Sequence, residues 1–515
     1  MTSLAELKKL EERYPFTEEE LEILLRGHRA LLDEADEDSF ITKLALASPY
    51  AYFFLPADEM RHRADFVENT VLPMGFANEF RAAVAADAFV NYANQGQELS
   101  FERFLEGIAD AGRRGPKEAA RILYEVIPEP APDEIIDLCF RLSVAADVLV
   151  KPLFEKMVIT NMLDNATNAC EPLVKSLKVT CGERELTKAI FSQWADHDAP
   201  MLSTTLSTFV HNLLFHGRPY PASRIPFERP KLDHTSDIFL DKDAALLFPL
   251  SVASFQLGGK VREQYTFFAK SVDARANIRC LLFNQMHRLY SSESDGRSFN
   301  RLEWSLLGYS GPSLLMIKTE ENAVLGAFVS MPWKDSVHSQ GDSASFLMQL
   351  SPTLKQFHPT GREKHFVFCH SKHFGGLLGD GHPHGLGFGG NAHKPRLFIP
   401  ESLEECTAEF FDHTYQEGEL LPIEALEKFQ IKVLEVWGVG GDEAITKGMR
   451  DRAEYRDRTD TTLERARTVT DKSQLVEDLH SGLIPNSLFK HTEQARGRQD
   501  FAVDEEHGGY KIVRN

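Results

Sequence analysis

Seven histidines fall between residues 358 and 393: His358, His365, His370, His373, His382, His384 and His393. His370-x-x-His373 and His382-x-His384 are separated by the glycine-rich FGGLLGDG, which could fold back. Several imidazoles, with Cys369 beside them, would then face one zinc ion. The candidates are His370, His373, His382 and His384; the preferred alternative is a solvated loop. Cys369 next to His370 also has the composition of an activated nucleophile. It ends the apolar run HFVFC (365–369), however, where a buried thiol is held neutral and inert, so core packing is the expectation. GLGFGG (385–390) satisfies G-x-G-x-x-G through Gly385, Gly387 and Gly390. A dinucleotide loop must open a helix whose N-terminus meets phosphate. The residues that follow, NAHKPRLFIP, contain Pro395 and have strand character, so a cofactor site is not expected.

Two loops invite comparison with calcium sites. Starting at Asp33, position 3 is Ala35, position 6 is Asp38 and position 12 is Leu44. In a second loop aligned on Leu99 as position 8, position 1 is Tyr92 and position 12 is Arg103. A calcium loop needs oxygen ligands, a glycine at 6 and a carboxylate at 12. Both loops depart from it and are expected to be helix pairs without metal. No G-x-S-x-G elbow, Walker loop or H-E-x-x-H pair occurs, and no carboxylates are spaced as an acid/base couple. No catalytic residue and no cofactor are therefore expected.

The chain that must position these residues has 515 of them and a net charge of -20. Without a segregated basic face, that charge disfavours nucleic acid and direct adsorption to anionic lipid. Thr2 rules out N-myristoylation, so membrane contact would come through a partner. The six cysteines form no C-x-x-C pair, which fits a reducing, cytoplasmic compartment. Residues 1 to about 190, and again 183–216, have helical periodicity; Thr17 and Glu20 have the spacing of a capping box. A four-proline segment at 217–237 is the candidate linker. Beyond it, Asn277–Tyr290 and Phe299–Gly308 have helical spacing. Short apolar runs follow at 313–318, 323–330, 345–350, 365–369, 396–399 and 429–439, with turn residues between many of them. Such runs predict antiparallel strands packed in layers. From 442 onward alternating charge predicts an exposed helix, and the last fifteen residues a mobile end.

SFQLGGK (254–260), LYSSESDGRSFNRL (289–302), GPSLLMIKT (311–319), VLGAFVSMPWK (324–334), GLGFGG and LEVWGVGG (434–441) together resemble the TLDc domain. The signature positions are Gly258, Gly259, Gly326, Gly385, Gly387, Gly389, Gly390, Glu435, Trp437 and Gly438. The resemblance implies a two-sheet antiparallel β-sandwich flanked by helices, hence an α+β protein. The expected division is 1–216 helical, 217–237 linker, 238–441 TLDc and 442–515 tail. FTEEELEILLRGHRALLDEADEDSFI (16–41) and LSFERF (99–104) resemble the EF-hand-like region of the MTOR-associated lysosomal subgroup, the first as helix, loop and short strand. That likeness implies binding to the vacuolar proton pump (V-ATPase) or a lysosomal complex, oxidative-stress resistance and TOR signalling. It places the protein in the cytoplasm or on the cytosolic face of the lysosome or vacuole. The alternatives are an oxidant scavenger using Cys369 or Cys406, or a metal-regulated adaptor.

Overall fold

The computed structural model describes residues 4–33, 38–47, 57–85, 100–150, 156–215, 218, 220–221, 226–239, 247–253, 285–370, 383–391, 394–421, 428–441, 444–448, 450, 501–504 and 509–512. The first half is helical. Glu18–Leu32 starts at a complete capping box: the Thr17 N–H donates to Glu20 Oε2 at 3.0 Å, and the Glu20 N–H donates to Thr17 Oγ1 at 3.3 Å. Pro132–Val150 is the central helix. Twelve of its nineteen residues are buried, too many for a one-sided surface helix, so other helices surround it. Ala166–Cys181 and Thr204–Leu214 pack against it. No described helix is long and apolar enough to cross a membrane.

The second half is a sandwich of two sheets. The larger has the order β1-β2-β12-β3-β4-β6-β7, with β1 Lys231–Leu232, β2 Gln285–Ser291, β3 Ser313–Thr319, β4 Val324–Val329, β6 Phe346–Ser351, β7 Lys355–Phe357 and β12 Ile431–Gly438. The smaller has the order β11-β10-β9-β8-β5, with β5 Ser336–Gln340, β8 Val367–His370, β9 Gly385–Phe388, β10 Leu397–Pro400 and β11 Thr407–Ala408. All pairs within the two sheets are antiparallel except β1 with β2.

The apolar runs of β3 and β4 have no polar face because the larger sheet is covered on both sides. Leu315, Ile317, Leu325, Ala327 and Val329 face the smaller sheet and share a core with Leu386, Phe388, Leu397 and Ile399. Their neighbours Leu314, Met316, Val324 and Phe328 belong to the core of the helical half. A period of two thus divides one strand between two cores. Among the ties between the halves, the Leu354 backbone N–H donates to Pro172 O at 3.0 Å, and the Gln356 side-chain Nε2 donates to Asp198 O at 2.9 Å.

Several expectations are revised. Residues 285–290, expected in a helix from Asn277, are in β2, and 277–284 lie outside the described residues. Pairing with β12 and β1 on either side satisfies that backbone, which overrides the helical spacing of Met286 and Leu289. The strand expected near Ser39–Ile41 is instead the start of helix Phe40–Ala47, held where the Thr42 hydroxyl donates to Asp65 Oδ1 at 2.7 Å. Within the last fifteen residues, β13, Phe501–Asp504, pairs with β14, Gly509–Ile512, in a hairpin. Most of the charged tail, 451–500, lies outside the described residues. In the proline-rich segment, β1 joins the larger sheet and Phe227 is buried.

Gly387 marks the closest approach within the smaller sheet. It pairs with Phe368, and a Cβ there would overlap the Phe368 ring. Gly387→Ala is expected to cost about 1–3 kcal/mol, as overpacking does. Urea unfolding checks this, and adding Phe368→Leu should restore part of the loss. Unchanged stability in the single variant would contradict the packing.

Candidate functional site

Glu435 lies in β12, with neighbouring strands on both sides, and is fully buried. Its Oε2 accepts from the Ser236 hydroxyl at 2.7 Å and from Trp437 Nε1 at 3.0 Å, while its Oε1 accepts from the Asp237 N–H at 2.6 Å. Ser236 Oγ in turn accepts from the N–H groups of Ile238 and Phe239, at 3.2 and 2.8 Å. One carboxylate thereby pins the chain entering the sandwich to its closing strand. Burial pushes the Glu435 carboxyl above the ordinary carboxylate range, against the pull of its three hydrogen bonds. Donors that pin a carboxylate this way make a clamp. They leave no open face for a substrate.

The glycines of the GLGFGG segment serve a second clamp. Gly389 and Gly390 have φ of 68° and 60°, turning the chain from β9 toward β10. No helix follows, so the segment lacks the helix N-terminus of a dinucleotide loop. Asp412 Oδ2 accepts from the N–H of Gly390 at 2.9 Å and of Thr414 at 2.8 Å. Its Oδ1 accepts from Arg396 Nη1 at 3.3 Å. Arg396 is fully buried over the Phe357 ring and also donates to Gly418 O at 2.6 Å. Sequence reading missed Asp412, Arg396 and Ser236. The Asp412-His-Thr414 pattern of a local side-chain turn was the one available signal.

The histidines divide. His370 and His384 stack, with ring centres 4.8 Å apart and Asp335 Oδ1 3.8 Å from His370 Nδ1. His358 packs on Phe346, and His365 lies against Ser339. His373, His382 and His393 lie outside the described residues. Among the described residues no three His, Cys, Asp or Glu side chains converge as metal ligands. Cys369 is buried, and that burial pushes its thiol far up; Cys406 is likewise pushed up to about 12. Neither is a ready thiolate near neutral pH. Gly326 faces Leu315 O and Met316, Gly438 packs on Tyr309, and Gly258 and Gly259 lie outside the described residues.

The two-layer antiparallel sandwich has the layout that the TLDc resemblance implies. Residues 264–440 match the sequence profile of that domain, so this part of the chain is a TLDc domain. Within that class it is similar to the MTOR-associated protein MEAK7 of Xenopus laevis, 33% identical over 154 residues, covering 30% of this chain and 31% of the relative. The MEAK7 of Mus musculus is 31% identical over 160 residues, covering 30% and 32%. Restriction of telomere capping protein 5 of Pyricularia oryzae is 25% identical over 253 residues, covering 36% and 37%. The chain thus spans about a third of the length of the curated relatives it matches.

The raised Glu435 carboxyl has a signed consequence. The folded chain holds this proton more tightly than the unfolded chain does. Its contribution to stability is therefore complete below the unfolded pKa, near ~4.3, and is lost as pH rises through the folded value. The stability of the native protein minus that of Glu435→Gln should fall as pH rises from 4 to 8 in urea unfolding. A difference that grows with pH would contradict the buried, cation-free clamp.

Proposed function

We propose that this chain is a regulatory protein-binding protein of TOR signalling with no catalytic chemistry of its own. The observation that carries this reading is the TLDc match, together with relatives named for association with MTOR. The sequestered thiols of Cys369 and Cys406 and the clamped Glu435 support it, because each is satisfied or desolvated inside the fold. They weigh against the oxidant-scavenging alternative, which needs an accessible thiolate. Of the histidines offered for a metal-regulated adaptor, His370 and His384 stack, and His373 and His382 lie outside the described residues.

In this reading the sandwich docks on the V-ATPase or another lysosome-associated complex. The protein is cytoplasmic and reaches the cytosolic face of the lysosome or vacuole through that partner. The helical half stiffens the docking sheet from behind, and the EF-hand-like segments act as helix pairs without calcium. Oxidative-stress resistance would follow from the partner's activity.

Quantitative co-precipitation of the tagged full chain from its native cells tests this. TOR-complex components and V-ATPase subunits should both be enriched over a tag-only control. Enrichment of neither would overturn the proposal, and TOR components without the pump would remove the V-ATPase part of it.

A further inference from the structure

A cleft of about 580 Å³ opens where the helical half meets the free edge of the larger sheet. One wall is helix Ala166–Cys181 with His197 and Asp198; the other is β7 and the loops at 360–362 and 411–418. The Pro172 and Asp198 backbone ties lie on these same elements, so the walls are fixed to each other before anything binds.

Its lining combines apolar surface with cations. Phe411 and Val179 are 47% and 62% exposed, unusual for such side chains inside a concave site. Lys355 and Arg362 also line it, and among the described residues neither side chain makes an ion pair. The carboxylates facing them are mostly engaged: Asp198 is paired with His197, and Asp412 with Arg396. Glu417 also lines the cleft and interacts electrostatically with Arg396. Two uncommitted cations beside an apolar patch stand out on a chain of net charge -20.

We propose that this cleft binds a short acidic peptide segment of a partner protein, with one aromatic or aliphatic side chain seated against Phe411 and Val179. The flanking carboxylates of the segment pair with Lys355 and Arg362. A short segment feels mainly the local cations, because the rest of the surface charge is screened beyond about 8 Å at physiological salt. A second copy of the chain is the competing occupant, and it would show as a dimer. The inference rests on the protein-binding reading and names the chemistry of one partner segment.

The test is a selection of displayed random peptides on the purified full chain, repeated on Lys355→Glu/Arg362→Glu and on Phe411→Asp. These side chains are partly or largely exposed, and equal urea midpoints would confirm intact folds. Peptides enriched on the native chain should be acidic around one large apolar residue. They should bind each variant about tenfold or more weakly, and should lose affinity as salt rises. Enriched peptides that are neutral or basic, or that bind all three proteins equally, would overturn the proposal. So would a dimer seen by sedimentation and lost in the same variants. If the TOR complex co-precipitates with the variants as with the native chain while no cleft-dependent peptide emerges, this proposal falls and the binding reading stands. If the native chain captures no such complex but does select the peptides, the TOR-complex reading falls and the cleft proposal stands.

Discussion

A sheet with apolar side chains on both faces must be covered twice, and that requirement organises the molecule. Leu315 and Ile317 need the smaller sheet; Leu314 and Met316 need the helices. Neither side of the larger sheet can meet water without exposing several large side chains, each worth about 1.5–3 kcal/mol on burial. The helical half is therefore the second cover of the TLDc sheet. The apolar core that begins at Tyr14 runs without interruption through Phe227 and Phe248 to Trp437.

Polar groups inside such a core are tolerated where each is answered. Glu435 has three neutral donors, and Asp412 has backbone N–H groups together with Arg396. The helical half uses the same device: Glu20 caps its own helix with one oxygen and accepts from Arg113 Nη2 at 2.8 Å with the other. These groups fix where loops enter and leave the core. Cys369, Cys406, Asp412 and Glu435 are all buried among these packed layers.

Much of the fold was legible. The runs at 313–318, 323–330 and 429–439 announced strands because they are short, apolar and bounded by turn residues. The turn between β3 and β4 runs through Glu320-Glu321-Asn322, where Asn322 takes φ 63°. Thr17 and Glu20 gave a helix start to the residue. β2 was not legible, since its Met and Leu spacing fits a helix and the backbone partners that decide otherwise lie on β1 and β12. The site was legible only in part. Glu435 and Trp437 stood out by resemblance, but their partner Ser236 is 199 residues away from Glu435, and Asp412 is 22 residues from the Gly390 it holds. Local patterns do not encode such pairs. The cleft was invisible for the same reason, since its walls come from opposite halves of the chain.

If the two halves share one sheet as a common core, they must unfold together. Hydrogen exchange measured through a urea titration reads this directly, comparing peptides from helix Pro132–Val150 with peptides from β3 and β4. One coincident midpoint is the predicted result. Two separated midpoints, with the sandwich still protected after the helices have opened, would contradict the shared core.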